Sequence, residues 1–229
     1  MLDEFQEIQR FGGEDAEWNL RGIIQHHEHV SYVLAGSQAH IIERMLAKGR
    51  AFYGLADQLQ FGPIDAAHLA AWIDARMTKS GVRATGTGAV IVATAGPRTR
   101  DVVQVARQCF DNCRPAGRAT AADVARAFDD VVAEQGALFQ SMWSQLSGPQ
   151  QNVLRAVAAN VHGLTTAASL RSFGLSSSGA ATNTATAMID AGHLVKSVST
   201  AGYSFENPFF GHWVDRETMG DLGALPSSD

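Results

Sequence analysis

Nothing between residue 65 and residue 145 requires a strand, and that constrains the fold of this chain more than any other feature. The stretch "DAAHLAAWIDARMTKSG" has a helical period and stops at Gly81. "TGTGAVIVATAG" is short and apolar and reads as either a helix or a strand. "PRTRDVVQVARQCFDNC" places Pro97 at a first helical position. "TAADVARAFDDVVAEQGALFQSMWSQL" reads as one long amphipathic helix capped by Thr120. A block of this kind packs helix on helix, so any sheet must lie outside it.

The segment before the block has a different texture. Residues 15–28, "DAEWNLRGIIQHHE", predict a helix with Trp18, Ile23 and Ile24 on one face. "HVSYVLAGSQ" concentrates Val30, Tyr32, Val33, Leu34 and Ala35 ahead of Gly36, the pattern of a buried strand in a parallel sheet. "AHIIERMLAKG" predicts a helix stopped at Gly49, and "ADQLQFGPI" a weaker strand.

The segment after the block changes again. Ser147 caps a helix carrying Val153, Leu154 and Val157 on one face. "TTAASLRSFG" gives a second helix, and "SSSGAATNTATAMIDAG" a third, with Ser176 as cap and Gly192 just past its end. "HLVKSVSTAGYSFEN" predicts a hairpin turning near Thr200-Ala201-Gly202, and "PFFGHWVDRE" a closing helix. Three helices followed by a hairpin make a winged helix-turn-helix.

Hydrophobic residues make up 45% of the 229 and charged residues 18%, the balance of a globular chain with a core. The net charge of −5 rules out a surface that captures nucleic acid by charge alone. Cys109 and Cys113 cannot build a disulfide framework, and their spacing fits helix packing. The lack of a disulfide framework makes a reducing cytoplasm the expected location, and with no signal peptide and no membrane-length apolar run no membrane partner is expected. His26 and His29 in "HHEH" share a helical spacing, but no Cys or carboxylate cluster accompanies them, so a metal site there is not expected.

In order and spacing, "LDEFQEI", "VSYVLAGSQ", "FYGLADQLQFGPI", "AGPRTRDVVQVA" and "NPFFGHW" resemble the archaeal-type ATPase family of the AAA+ superfamily, from its Walker B motif to its C-terminus. The resemblance covers nearly the whole chain. It implies an α/β plus mainly α protein: a partial parallel P-loop NTPase sheet over 1–63, a helical AAA+ lid over 64–145, a winged helix over 146–217 and a flexible tail over 218–229.

The resemblance also implies roles. Asp3 would hold Mg²⁺ through its water shell, and Glu4 would polarise the attacking water. Ser37 and Gln38 match sensor 1, which contacts the γ-phosphate. Arg98, or failing that Arg100, matches sensor 2, which places positive charge on the nucleotide from the lid. ATP and magnesium are then the cofactors of the intact relative.

The departures from the family are specific. No G-x-x-x-x-G-K-[ST] occurs, so the phosphate cradle and its lysine are missing. "TGTG" at 85–88 lacks the lysine and is no substitute, and Leu55 stands where a basic residue often follows "FYG". The expectation is a portion of a longer ATPase that binds no cofactor and hydrolyses no ATP by itself, with a missing N-terminal P-loop segment as one partner.

DNA or a protein is the expected partner of the winged helix. Arg171, Ser176, Ser177, Ser178, Thr182, Asn183 and Lys196 are the candidate DNA contacts. Residues 146–215 are neutral, Arg155, Arg171 and Lys196 facing Asp190, Glu206 and Asp215, so weak DNA affinity is expected. The alternative is a stand-alone winged-helix regulator that binds DNA or a protein and dimerises through the helical block.

Overall fold

The computed structural model describes residues 1–36, 39–59, 61–161, 163–197 and 202–219. The chain forms two compact units that divide between Gly62 and Pro63. Among the described residues, no helix is long and apolar enough to cross a membrane.

In the first unit a 3₁₀ turn, Phe5–Glu7, leads into helix α1, Ile8–Ile24, which is kinked at Gly12 and Gly13. The helix begins earlier than its periodicity predicts, and its buried face differs. Trp18 and Ile23 are exposed, whereas Leu20 and Ile24 pack on the small core and Glu17 is fully buried. Helix α2, Ala39–Leu46, follows. Phe5, Met45, Ala51 and Phe52 form this unit's core, with the rings of Phe5 and Phe52 edge-to-face at 5.1 Å.

The expected parallel sheet is reduced here to a single parallel bridge, Leu2 with Leu34. The described residues of "ADQLQFGPI" form no strand and are exposed. A strand needs a neighbour to satisfy its ladder, and the described part of this segment has none.

The second unit opens with four helices: α3, Ala66–Lys79; α4, Thr87–Ala95; α5, Thr99–Cys113; and α6, Ala121–Glu134. The ambiguous "TGTGAVIVATAG" is helical. It packs so closely on α3 that a Cβ at Gly88 would fall 2.1 Å from the Ala70 carbonyl oxygen. Helix α5 begins two residues after the predicted Pro97 start, with Arg98 at the N-cap. Thr120 caps α6 in a reciprocal capping box with Asp123. The predicted long helix breaks at Gln135, and α7, Gly136–Ser144, continues in a new direction. Glycine is the poorest helix former after proline, and here it starts the second piece.

Three further helices follow: α8, Gly148–Ala158; α9, Ala167–Ser172; and α10, Ser178–Asp190. Ser147 caps α8 as expected, with Gln150 completing the box. The cap of α10 is Ser177 rather than Ser176. Strands β1, Leu194–Lys196, and β2, Tyr203–Phe205, pair antiparallel, with Leu194 opposite Phe205 and Lys196 opposite Tyr203. Of the predicted turn, Thr200 and Ala201 lie outside the described residues. Helix α11, Pro208–Thr218, closes the unit; the Asn207 side chain accepts from the amides of Phe209 and Phe210 to cap it.

One core runs through all of these elements. Its centre is aromatic. The Trp213 ring lies 6.1 Å from Phe210, 6.2 Å from Trp143 and 6.3 Å from Phe139. The "NPFFGHW" segment therefore binds α11 to the helical block. On the surface of the same contact, Asp129 of α6 accepts from His212 at 3.0 Å and from Arg216 at 3.1 Å.

Candidate functional site

The segment Leu2–Phe5 runs beside Val33–Ala35. The Leu2 amide donates to Val33, the Ala35 amide to Leu2 and the Phe5 amide to Ala35, each at 2.8 Å. These bonds set Asp3 and Glu4 beside the C-terminal end of the neighbouring extended segment. In parallel α/β sheets, ligands bind at such ends. A Cβ at Gly36 would meet the side chains of Gln6, at Oε1 2.3 Å away, and Ile42, at Cδ1 2.9 Å away, so a larger residue there would have to displace both.

Asp3 is exposed, and its Oδ1 accepts from the Glu4 amide at 2.9 Å. Glu4 holds a left-handed backbone conformation, φ 47° and ψ 44°. For a residue with a Cβ that conformation costs roughly 1–3 kcal/mol and concentrates at functional positions. Gln6 Nε2 donates to Glu4 Oε2 at 2.5 Å, while Gln6 Oε1 is buried with no hydrogen-bond partner among the described residues. Ser37 and Gln38, which directly follow Gly36, lie outside the described residues.

A second polar group in this unit escaped the sequence reading. Arg50 donates to Glu17 at 2.6 Å and to Glu14 at 2.5 Å, and Gln9 reaches Glu17 at 3.1 Å. Glu17 Oε2 and Arg50 Nε are buried without a partner among the described residues. A glutamate inside an amphipathic period gives no sequence sign of burial, so nothing in the local pattern could have flagged it. His27 makes a 2.5 Å contact with the Tyr32 hydroxyl. Among the described residues no group of three or more His, Cys, Asp or Glu is placed to hold a metal ion.

In the second unit Arg98, the sensor 2 candidate, is shared between carboxylates. Its Nε donates to Asp101 Oδ2 at 2.7 Å and one terminal nitrogen to Glu206 Oε1 at 2.6 Å. Arg100 projects outward, with its Nε 3.4 Å from Asp101 Oδ1. The amides of Gly86 and Gly88 in "TGTG" form an anion-binding helix start of the kind that cradles phosphate. Asp74 already fills it, accepting from Gly86 at 2.7 Å and from Gly88 at 2.6 Å. The internal carboxylate completes the reason that this glycine pair is no P-loop.

Cys109 and Cys113 are buried free thiols. Desolvation, with the Cys113 and Asp123 charges adding to it, pushes the Cys109 thiol up to about 12. Burial first, then Asp123, raises Cys113 as well. Both sulfurs are core atoms in their protonated form.

The candidate DNA contacts divide into two sets. Ser177 caps α10 through the Ala180 amide, Ser178 donates to the Thr165 carbonyl, and Thr182 donates to the Ser178 carbonyl. These three hydroxyls serve the fold. Arg171, Ser176, Asn183 and Lys196 are exposed, and none has an ion pair or side-chain hydrogen bond among the described residues. Arg155, counted as basic in the sequence, stacks on Trp143 at 5.1 Å and buries its Nε. Of the three basic groups in residues 146–215, Arg171 and Lys196 are the two left exposed.

Comparison with known proteins bears on the fold alone. No protein-family model and no curated protein matches the sequence. In a search of solved structures, 93% of this chain superimposes on a Walker-type ATPase of Pyrococcus abyssi, with a TM-score of 0.63 and 13% identity. The chain spans 61% of that protein's length. It has a Walker-type ATPase-like fold, mostly helical with a small two-stranded sheet.

Proposed function

We propose that these residues form the Walker B to C-terminal portion of an AAA+ ATPase of the archaeal type, with the phosphate-binding loop supplied from outside them. Asp3 holds a hydrated Mg²⁺ and Glu4 polarises the attacking water. Nucleotide state is passed through the helical block to a winged helix built from α8, α9, α10, β1 and β2, which carries the partner surface. One observation carries this reading: the Leu2–Leu34 bridge sets Asp3 and Glu4 at the end of a parallel pair. The fold shared with a Walker-type ATPase supports it.

The parts do separable work. A carboxylate that keeps the metal and a second that orients water are both needed for attack on the γ-phosphate. Neither acts until a lysine and a row of amides fix the phosphates. ATP turnover should therefore stay at background for the chain by itself. Adding a separately produced P-loop segment from a Walker-type ATPase should raise it, and Glu4→Gln should remove about 10²-fold or more of that gain. Turnover by the unaided chain that disappears in Glu4→Gln would show a complete site and overturn the proposal. Failure of any P-loop segment to stimulate turnover would also count against it.

A second reading has its own support. Exposed Ser176 and Asn183 on the α10 side, with no side-chain partner among the described residues, and Arg171 and Lys196 nearby in sequence, fit a module that contacts DNA or a protein in its own right. Under that reading α10 is a recognition helix and the helical block dimerises.

A further inference from the structure

Helices α3 and α5 both pack against α4, and a groove of about 210 Å³ remains between them. Its floor is apolar. Ile73 and Met77 of α3 are 1% and 4% exposed, and Phe110 of α5 packs against the same core. Its rim is different. Trp72 stands half in solvent, and the guanidinium of Arg76 lies 5.9 Å from its ring centroid, which holds that cation at the mouth of the groove. Arg107 lines the opposite side.

The charge around this groove is unbalanced. Arg76 has no carboxylate partner among the described residues. Among the described residues Arg107 pairs only with Asp111, at 4.0 Å, with both side chains largely exposed. Asp74, the single acidic residue of α3, is committed to the Gly86 and Gly88 amides. An apolar slot with an exposed indole and two guanidinium groups at its mouth suits a flat apolar body that carries a negative charge. The volume is below the roughly 300–1,000 Å³ of sites for drug-sized ligands, so the occupant is small.

We infer that the α3–α5 groove is a binding site for a small aromatic carboxylate, its ring lying against Trp72, Met77 and Phe110 and its carboxylate between Arg76 and Arg107. A guanidinium offers a planar fork of N–H donors that matches the two oxygens of a carboxylate, and this groove has two such groups on its lining. The site needs no nucleotide, so it stands apart from the ATPase reading and is tested without ATP.

The test uses 2-naphthoate as probe, with 2-naphthalenemethanol as its neutral analogue and 2-naphthylmethylamine as its cationic one. Binding to the full chain is followed by ¹H–¹⁵N chemical-shift changes, including the Trp72 indole signal. The expected order is carboxylate, then alcohol, then amine. Arg76→Gln and Arg107→Gln should each raise the naphthoate Kd about two- to fivefold, as exposed charge contacts do, and leave the alcohol unchanged. Ala106→Phe should fill the groove and abolish binding of all three, with an unchanged far-ultraviolet circular dichroism spectrum showing that the helices persist. Equal affinity for carboxylate and alcohol, or shifts that leave Trp72 unmoved, would overturn the assignment. So would Ala106→Phe that folds and still binds.

Discussion

The guanidinium of Arg98 bridges Asp101, three residues on in α5, and Glu206, which immediately follows β2, at 2.7 and 2.6 Å. The two acids are not equivalent. Asp101 is 1% exposed, and Glu206 keeps 40% of its side chain in solvent. Removing the arginine strands a buried charge, whereas removing Glu206 frees a half-exposed one. Arg98→Ala should therefore cost roughly 1–3 kcal/mol, and Glu206→Ala less than about 1 kcal/mol. Urea denaturation of the two variants checks the asymmetry, and equal losses would refute it.

The aromatic contact between α11 and the helical block should be the largest single stabilising feature that one substitution can remove. Trp213 is 6% exposed and touches Phe139, Trp143 and Phe210. Trp213→Ala should lose about 3–5 kcal/mol, by cavity formation and lost ring contacts. The near-ultraviolet circular dichroism of the tryptophan cluster should collapse with it. A cost under 1 kcal/mol would mean that α11 is not seated as described.

Cys109 gives a pH dependence with a definite sign. Its folded thiol is raised from an ordinary 9.0 to about 12, so the folded state holds the proton more tightly than the unfolded chain does. The stability this contributes is complete below pH 9 and is lost as pH rises from 9 towards 12. Cys109→Ala should flatten that part of the stability–pH curve. In the native wild type at pH 8, Ellman's reagent should react with the thiols only at the rate of unfolding. Rapid labelling of two thiols would show that they are not enclosed.

For the C-terminal module, charge sets the expectation. With Arg155 held on Trp143, Arg171 and Lys196 are left for phosphate contact. Each neutralised phosphate contributes a slope of about −0.9 to log K against log salt. Fluorescence anisotropy on random duplexes should give a slope no steeper than about −2, and weak binding near physiological salt. Arg171→Ala with Lys196→Ala should abolish it. A much steeper slope would point to a basic surface contributed by other residues.

How far the sequence reached depended on the distance over which each feature is decided. Thr120 and Ser147 were legible as caps because the atoms they satisfy lie three residues away. Gly49, Gly81 and Gly192 were legible as stops because their positive φ is a local demand. The hairpin of β1 and β2 and the helical character of 65–145 followed in the same way from period and spacing. Where two local choices were equally good, the sequence erred by a residue or two, as with Ser176 against Ser177 for the cap of α10 and Pro97 against Thr99 for the first residue of α5. Asp3 and Glu4 were singled out as a pair; that they stand at the end of a parallel bridge depends on Leu34, far along the chain.

Tertiary structure alone decided the rest. Glu17 and Trp18 are neighbours on one helix, and their polarity predicts the opposite of what is found. The charged residue is buried because Arg50 arrives from beyond α2 to pair with it, and the indole is left outside beside Arg21. Arg98 meets Glu206 across 108 positions, and Asp74 reaches the Gly86 and Gly88 amides across a helix end. Caps, stops and periodicity are satisfied by backbone atoms within a turn, so the sequence by itself determined them. Burial and ion pairing depend on which distant element packs alongside, and no local pattern encodes that.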